Sequence, residues 1–409
     1  VKSPNGRIIV QKYGGSSVAS VEALKRVAEK IVDTRKRGYS VVVVTSAMGN
    51  KTDELLELAR EVSPHPSSRE LDMLLSVGER IAMAVLSMAI NDLGCEAISF
   101  TGSQSGIITD TSHTNAKIVE VRAQRITRAL EEGKIVIVAG YQGVSLEKEI
   151  TTLGRGGSDT TSIALAAALS AERCEIYSDV DGVYTADPRI VDDAKKLDRL
   201  SYEEMEDLSR FGAVVLKREA VEYARRHNID ISLMSTFKRG KGTVVGTDRA
   251  TVHGRPVLGL SLETDLLCLF GAGESWMDRV AGEVFPTLRD NGFNLRAIQR
   301  MAVGGDESQP FTFIILGGEG LSDPTLAISC LEKDHPWIGE HIRRCGSVTV
   351  IIHESGHLEG VYAQARGVLN GEGYDLIGYN VDDRHCTFYL PPEVVRPALR
   401  LLHSRLVPA

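Results

Sequence analysis

Residues 41–53 read VVVVTSAMGNKTD. Four consecutive β-branched residues with no polar residue between them make a strand that is apolar on both faces, as a parallel strand covered by helices must be. The run then gives way to hydroxyls, a glycine and a helix start whose cap is Thr52 or Asp53. Working outward, the same order recurs. Arg7–Gln11 (RIIVQ) is a short apolar run ending near a glycine turn. Val21–Arg37 has apolar residues at 21, 24, 27, 28, 31 and 32, a helical stripe. Helices over 70–93, 116–132 and 160–170 alternate with strands over 96–100, 134–139 and 174–178. This alternation predicts an α/β layer sandwich with a mostly parallel sheet, in which ligands gather at the carboxyl ends of the strands.

The chain has 409 residues, which implies two or three domains, and 43% of them are hydrophobic, enough for sizeable cores. A net charge of -8 argues against general affinity for nucleic acid or an anionic membrane. The six cysteines (95, 174, 268, 330, 345 and 386) include no CxxC pair and read as reduced thiols of the cytosol. The first residues, VKSPNGRIIVQKYGG, lack a signal peptide's apolar stretch. The run Ile81–Ile90 falls short of the ~20 residues that cross a bilayer and reads as a buried helix. The expectation is a soluble, cytoplasmic protein.

The polar stretch FKRGKGTVVG (237–246), followed by TDRATVHGRP, marks a boundary. Beyond it the order strand, helix, strand occurs twice. The first unit has LGLSLETDLLCLFG (258–271), a helix over 277–291, then FNLRAIQRM and FTFIILGG. The second has SVTVIIHE (347–354), a helix over 358–372, then YDLIGYNVD, CTFYLP and a helix over 393–404. A doubled α+β unit after an α/β domain suggests a catalytic head (1–250) with a paired regulatory tail (256–340 and 341–409).

Four polar clusters follow apolar strands and together describe a phosphoryl-transfer site. In Lys12-Tyr13-Gly14-Gly15-Ser16-Ser17, the glycines admit a phosphate to backbone amides and the lysine neutralises charge in flight; a plain Gly-Gly turn would look the same. Thr45–Asp53 offers hydroxyls, including Ser46 and Thr52, for substrate contact or for capping alone. Thr151-Thr152-Leu153-Gly154-Arg155-Gly156-Gly157-Ser158-Asp159-Thr160-Thr161 opens an alanine-rich helix. Its arginine can grip a carboxylate by two parallel bonds, and Asp159 can orient a nucleophile or a phosphate-bound magnesium. Ser178-Asp179-Val180-Asp181-Gly182-Val183-Tyr184, continuing to Arg189, suits a nucleotide, or is an Asx turn closed by Asp-Pro. No Walker loop, protein-kinase motif or dinucleotide fingerprint occurs. His353-Glu354-Ser355-Gly356-His357 matches the zinc string HExxH, but its Ser-Gly after an apolar run points to a strand-to-helix loop.

The strings KYGGSSV (12–18), GER (78–80), TGSQSGIITD (101–110), TTLGRGGSDTT (151–161) and YSDVDGVYTADPR (177–189) resemble those of aspartate kinases of the amino-acid kinase superfamily. The likeness spans the first ~235 residues, and the tail units resemble ACT domains. It implies a three-layer sandwich followed by two ferredoxin-like α+β units, and phosphorylation of the β-carboxylate of L-aspartate by MgATP. This is the first step towards lysine, threonine and methionine. Carried over by position, Lys12 stabilises the transferring group. Gly14, Gly15, Ser16, Gly157 and Ser158 line the phosphates, and Ser178, Asp179, Tyr184 and Arg189 meet the nucleotide. Ser46, Thr52, Glu79 and Arg155 hold aspartate, with Glu79 suited to its ammonium, and Asp159 organises the reacting groups and Mg2+.

Two departures stand out. The family's string after the glycine at 212 carries a nucleotide-contacting lysine where this chain has Val214, with Lys217 three residues on. The tail has Gly271–Ser275 and Ile298–Met301 where the family often binds lysine or threonine. A homo-oligomer, dimer or dimer of dimers, is expected from pairing of the ACT strands. Two other readings stay open: a kinase acting on another acceptor such as homoserine, and a kinase-like regulatory subunit with weak catalysis.

Overall fold

Ile8–Tyr13 (β1) lies in the middle of an eight-stranded sheet, parallel to Ser40–Thr45 (β2) on one side and to Arg173–Ser178 (β9) on the other. The computed structural model describes residues 7–407 apart from 64, 155, 213–214, 248–255, 291–292, 304–305, 319–323 and 354. Beyond β2 the sheet continues through Ile135–Ala139 (β6) to Ala97–Phe100 (β3), all parallel. Beyond β9 it passes through parallel Ile231–Ser235 to Thr243–Gly246 and Arg199–Ser201, which run the opposite way. The valines of β2 are fully buried. Val41 and Val43 join a core with Leu24, Val27 and Ile31 of helix α1 (Val21–Lys36) and Leu86 and Ile90 of helix α4 (Val77–Asp92). Val42 and Val44 point to the other face by strand alternation, where helix α6 (Gly157–Ala168) packs on β1, β2 and β9. The layer sandwich expected from the alternation is present, with the three layers that the resemblance implies.

Several local expectations are corrected. The helix expected over 70–93 is two abutting segments, α3 (Ser68–Leu75) and α4, joined at buried Ser76. Together they run 25 residues and are apolar enough by length and composition to cross a bilayer, longer than the run Ile81–Ile90 suggested, yet half of the most apolar window is buried. The inner stripe is core, whereas Val77, Ile81, Val85 and Met88 are exposed on the outer one. The helix expected over 116–132 is a strand, Ile118–Val121 (β5), and a shorter helix α5 (Gln124–Glu131). The strand has a partner that a local reading misses: it pairs with Ile107–Thr109 (β4) in a small sheet that includes Gln142–Ser145 (β7) and Ile150–Thr152 (β8). Helix α2 (Lys51–Val62) starts before Thr52 and Asp53, with Asn50 at the cap position and no side-chain capping bond.

By its contacts the chain divides into two units, the second comprising residues 184–195, 210–213 and 252 onward. The second unit is built on a six-stranded antiparallel sheet in the order Phe293–Val303, Asp306–Gly318, Val257–Ala272, Ile342–Ile352, His385–Leu390, Gly378–Asp382. Val257–Ala272 is long enough, at 16 residues, to pair with Asp306–Gly318 from Leu266 on and with Ile342–Ile352 over most of its length. The two repeats therefore share one sheet. The helical stretch expected over 277–291 begins at Glu274 and contains a π turn, Val280–Val284. Pro286 supplies no amide to the helix just beyond, a common cause of such a shift in register. Residues 184–195 pack into this unit, with Ala186 and Val191 in a core with Val257, Val350, Leu399 and Leu402.

Candidate active site

The carboxyl ends of β1, β2, β6 and β9 are tied together by backbone bonds. Gly14 N–H donates to Tyr177 O at 3.1 Å, Ser46 N–H to Tyr13 O at 3.1 Å, and Gly140 N–H to Thr45 O at 3.0 Å. Lys12 is a residue of β1 and not of the loop after it, so the sheet fixes its stem. Gly14 and Gly15 lead into a short 3-10 turn, Gly15–Val18, and α1 begins only at Val21, capped by Ser20; the turn is not itself the helix start. Gly49 N–H closes on Gly15 O at 3.1 Å. Ser16 is exposed, while Ser17 is buried and its Oγ lies 2.6 Å from Thr236 Oγ1.

The first and third clusters meet. Lys12 Nζ and Asp159 Oδ1 form an ion pair at 2.6 Å, and their side chains are only 11% and 10% exposed. Asp159 stands in the first turn of α6, where a carboxylate is favoured by the unpaired amides of the helix start. Ser158 is buried beside Gly140: a Cβ at 140 would lie 2.7 Å from Ser158 Oγ, so only glycine lets the β6 loop and α6 approach this closely.

The second cluster meets Glu79 at the end of β2. Ser46 and Thr52 are half-buried. Glu79, on α4, is 3% exposed, and its Oε1 accepts the Ala47 N–H at 3.2 Å. Burial raises its pKa to about 7. Its Oε2 and the Oγ1 of Thr45 are buried without a hydrogen-bond partner among the described residues. Polar atoms left so in a native interior call for an explanation, and a bound polar ligand is one.

Ser178 Oγ accepts the Val180 N–H at 3.3 Å, forming the turn after β9, and Asp179 is exposed. Tyr184 and Arg189, read from the sequence as part of this nucleotide cluster, fall in the second unit and so are not among the residues the first unit brings together. Arg189 is paired with Asp187 at 2.8 Å. Arg155 and Val214 lie outside the described residues. Lys217 does approach the glycine turn: a Cβ on Gly156 would stand 2.1 Å from Lys217 Cγ, and Gly156 has φ +77°. In the second unit, Ser355–His357 forms a 3-10 turn between strand and helix, as expected for the HExxH string, whose Glu354 lies outside the described residues. Among the described residues no group of three or more His, Cys, Asp or Glu is placed to hold a metal ion.

Sequence reasoning quoted Thr152 in the third cluster but missed its partner Asp72, and His113. Asp72 is wholly buried and bonds both other residues. A signal was present: Asp72 and Glu79 are acids seven residues apart on the inward stripe of an apolar helix, where a charge needs a partner.

The profile of the amino acid kinase family matches residues 7–235. An aspartokinase of Mycobacterium bovis is 59% identical over 310 residues, which are 75% of this chain and 74% of the relative. An aspartokinase of Geobacillus stearothermophilus is 40% identical over 401 residues, 97% of this chain and 96% of that one. The chain belongs to the aspartokinases of the amino acid kinase family. Among solved structures, that of E. coli aspartokinase III in complex with aspartate and ADP superposes with a TM-score of 0.77 at 25% identity, covering 98% of this chain and 100% of that one. The fold class and the family read from the sequence are thus both borne out.

Proposed function

We propose that the chain transfers the terminal phosphoryl group of ATP to the β-carboxylate of L-aspartate, giving 4-phospho-L-aspartate, the first step towards lysine, threonine and methionine. The observation that supports this reading is the Lys12–Asp159 pair at the end of β1 together with the unpartnered oxygen of Glu79, which bonds the Ala47 amide at the end of neighbouring β2. The acceptor is already ionised at neutral pH, so the site needs positioning and charge neutralisation more than a general base. Glu79 receives the substrate ammonium, with Ser46 and Thr52 beside it. Lys12 moves from Asp159 to the phosphoryl oxygens as negative charge develops on them. Gly14, Gly15, Ser16, Gly157 and Ser158 present backbone and hydroxyl donors to the phosphates, and Ser178 and Asp179 lie towards the nucleoside.

The donor set suits Mg2+, which uses one or two carboxylates and takes its remaining ligands from phosphates and water. Asp159 is the carboxylate in place. When bound, Mg2+ neutralises charge across the phosphates. The setting is cytoplasmic, consistent with free thiols at Cys95, Cys174, Cys268, Cys345 and Cys386. The tail reads as an ACT-like receptor for an amino-acid effector, lysine or threonine, and the chain as a dimer or dimer of dimers. Edge strands Phe293–Val303 and Gly378–Asp382 offer backbone for that association. Hydroxamate formation from aspartate, ATP and hydroxylamine tests the reaction. Sustained turnover is expected; none with pure protein, or faster ADP release with homoserine than with aspartate, defeats the reading.

A further inference from the structure

Asp72 spends both carboxylate oxygens on the segments that flank the glycine turn before α6. Oδ1 accepts from Thr152 Oγ1 at 2.5 Å and from the Thr114 backbone N–H at 3.0 Å, and Oδ2 lies 2.6 Å from His113 Nδ1. Thr152 ends β8 and leads directly into Leu153 and Gly154. Thr114 has φ +66°, a left-handed backbone that is costly for a β-branched residue and persists only where its surroundings impose it. Next to it, Asn115 Oδ1 would stand 2.9 Å from a Cβ on Gly154. The opposite side of the turn is held by a second such residue, Tyr141 at φ +66°, whose carbonyl accepts the Leu153 N–H at 2.9 Å. Two strained residues bracketing one turn imply that its shape matters to function.

Asp72 also shares a helical rod with Glu79. Both acids are buried, Asp72 near the end of α3 and Glu79 in the first turn of α4. The joint between them is braced, because Gln142 Nε2 donates to Ser76 O at 2.9 Å. One rod therefore carries the oxygen left open for an ammonium and the anchor of the turn that opens α6. We propose that Asp72 is a positioning residue for the acceptor: through Thr114 and Thr152 it sets the span between Glu79 and the first turn of α6, and so the length of amino acid held between them. This rests on the kinase reading above.

Thr152→Val removes one bond to Asp72 with little change of shape, and Asp72→Asn removes acceptor capacity; the first serves if the second fails to fold. In each folded variant the KM for aspartate should rise at least tenfold, with the KM for ATP within twofold of the parent and the thermal midpoint of Thr152→Val within a few degrees. Amide hydrogen exchange at Gly154, Gly156 and Gly157 should quicken at least tenfold, with none at β1. A purely structural role would lower the midpoint and leave both KM values unchanged in the folded fraction, which overturns the proposal. Exchange at the parental rate in Thr152→Val overturns it too. Absence of aspartate turnover in the unsubstituted protein would instead defeat the kinase reading, and the exchange measurement would still decide whether Asp72 holds the turn.

Discussion

Lys12 Nζ is bound to Asp159 Oδ1 across the join between β1 and α6. Each group neutralises the other in a nearly dry site, and removing one leaves a charge that costs about 3–5 kcal/mol when uncompensated. Lys12→Met should therefore lose turnover by orders of magnitude and also lower the thermal midpoint. Lys12→Met with Asp159→Asn should recover most of the stability and none of the activity. Calorimetry and the hydroxamate assay on the three proteins check this; near-normal rates in Lys12→Met would refute the role given to the lysine.

Glu79 makes acceptor binding depend on pH. Its folded pKa is raised to about 7 by burial, so without substrate it takes up a proton as pH falls through 7, whereas an ammonium binds the ionised form. Aspartate affinity should then drop about tenfold per pH unit below 7. Glu79→Gln should bind aspartate far more weakly and lose that slope. The linkage to stability has the opposite sense for the free protein: between the unfolded and folded pKa values the folded state holds more protons, so stability falls as pH rises towards 7. Glu79→Gln should consequently have the higher thermal midpoint at pH 8.

Gly140→Ala probes the close approach of β6 and α6. The added carbon would lie 2.7 Å from Ser158 Oγ and 2.9 Å from the Thr45 carbonyl oxygen, and the backbone at Thr45 cannot turn aside. Overpacking of this kind costs about 1–3 kcal/mol, and a displaced first turn of α6 moves Asp159. A lower midpoint and a kcat/KM reduced tenfold or more are expected; a protein with parental values would show that the approach is slack.

His403 gives the second unit its own acid sensitivity. The ring is wholly buried, its Nε2 lies 2.9 Å from Thr185 Oγ1, and burial lowers its pKa, with Asp193 opposing. An unfolded histidine takes a proton near pH 6.5 and the folded one resists, so stability present above that value is lost as pH falls below it. His385 shifts in the same direction, so His403→Gln should flatten part of the fall in midpoint between pH 7 and 5. An unchanged pH profile would refute the contribution.

The central strands were legible because Val41–Val44, like Ile135–Ala139, are covered on both faces and read as unbroken apolar runs. The chemistry at their ends was legible in part. Asp159 belongs to a polar cluster that opens α6 and pairs with Lys12, whereas Glu79 is buried on α4 and accepts the Ala47 amide. Lys12 stands at the tip of its strand, which runs one residue further than the apolar run, to Tyr13. Ile118–Val121 reads locally as helix because its strand partner, Ile107–Thr109, comes earlier in the chain and is invisible to a local period. Asp72 escaped notice for a related reason: its partners at 113, 114 and 152 come together only when the small sheet forms. Tyr184 and Arg189 join the nucleotide cluster only by proximity along the chain, whereas Ala186 and Val191 find their apolar neighbours beyond residue 250.

The chain crosses between its two units several times, so no single cleavage separates them. A fragment ending near residue 250 would retain the segment 184–195 but strip away the side chains that enclose Ala186 and Val191, along with the Arg400 guanidinium that donates to the Ile190 carbonyl at 2.8 Å. Exchange of the tail would therefore have to bring a new enclosure for the apolar side chains of 184–195.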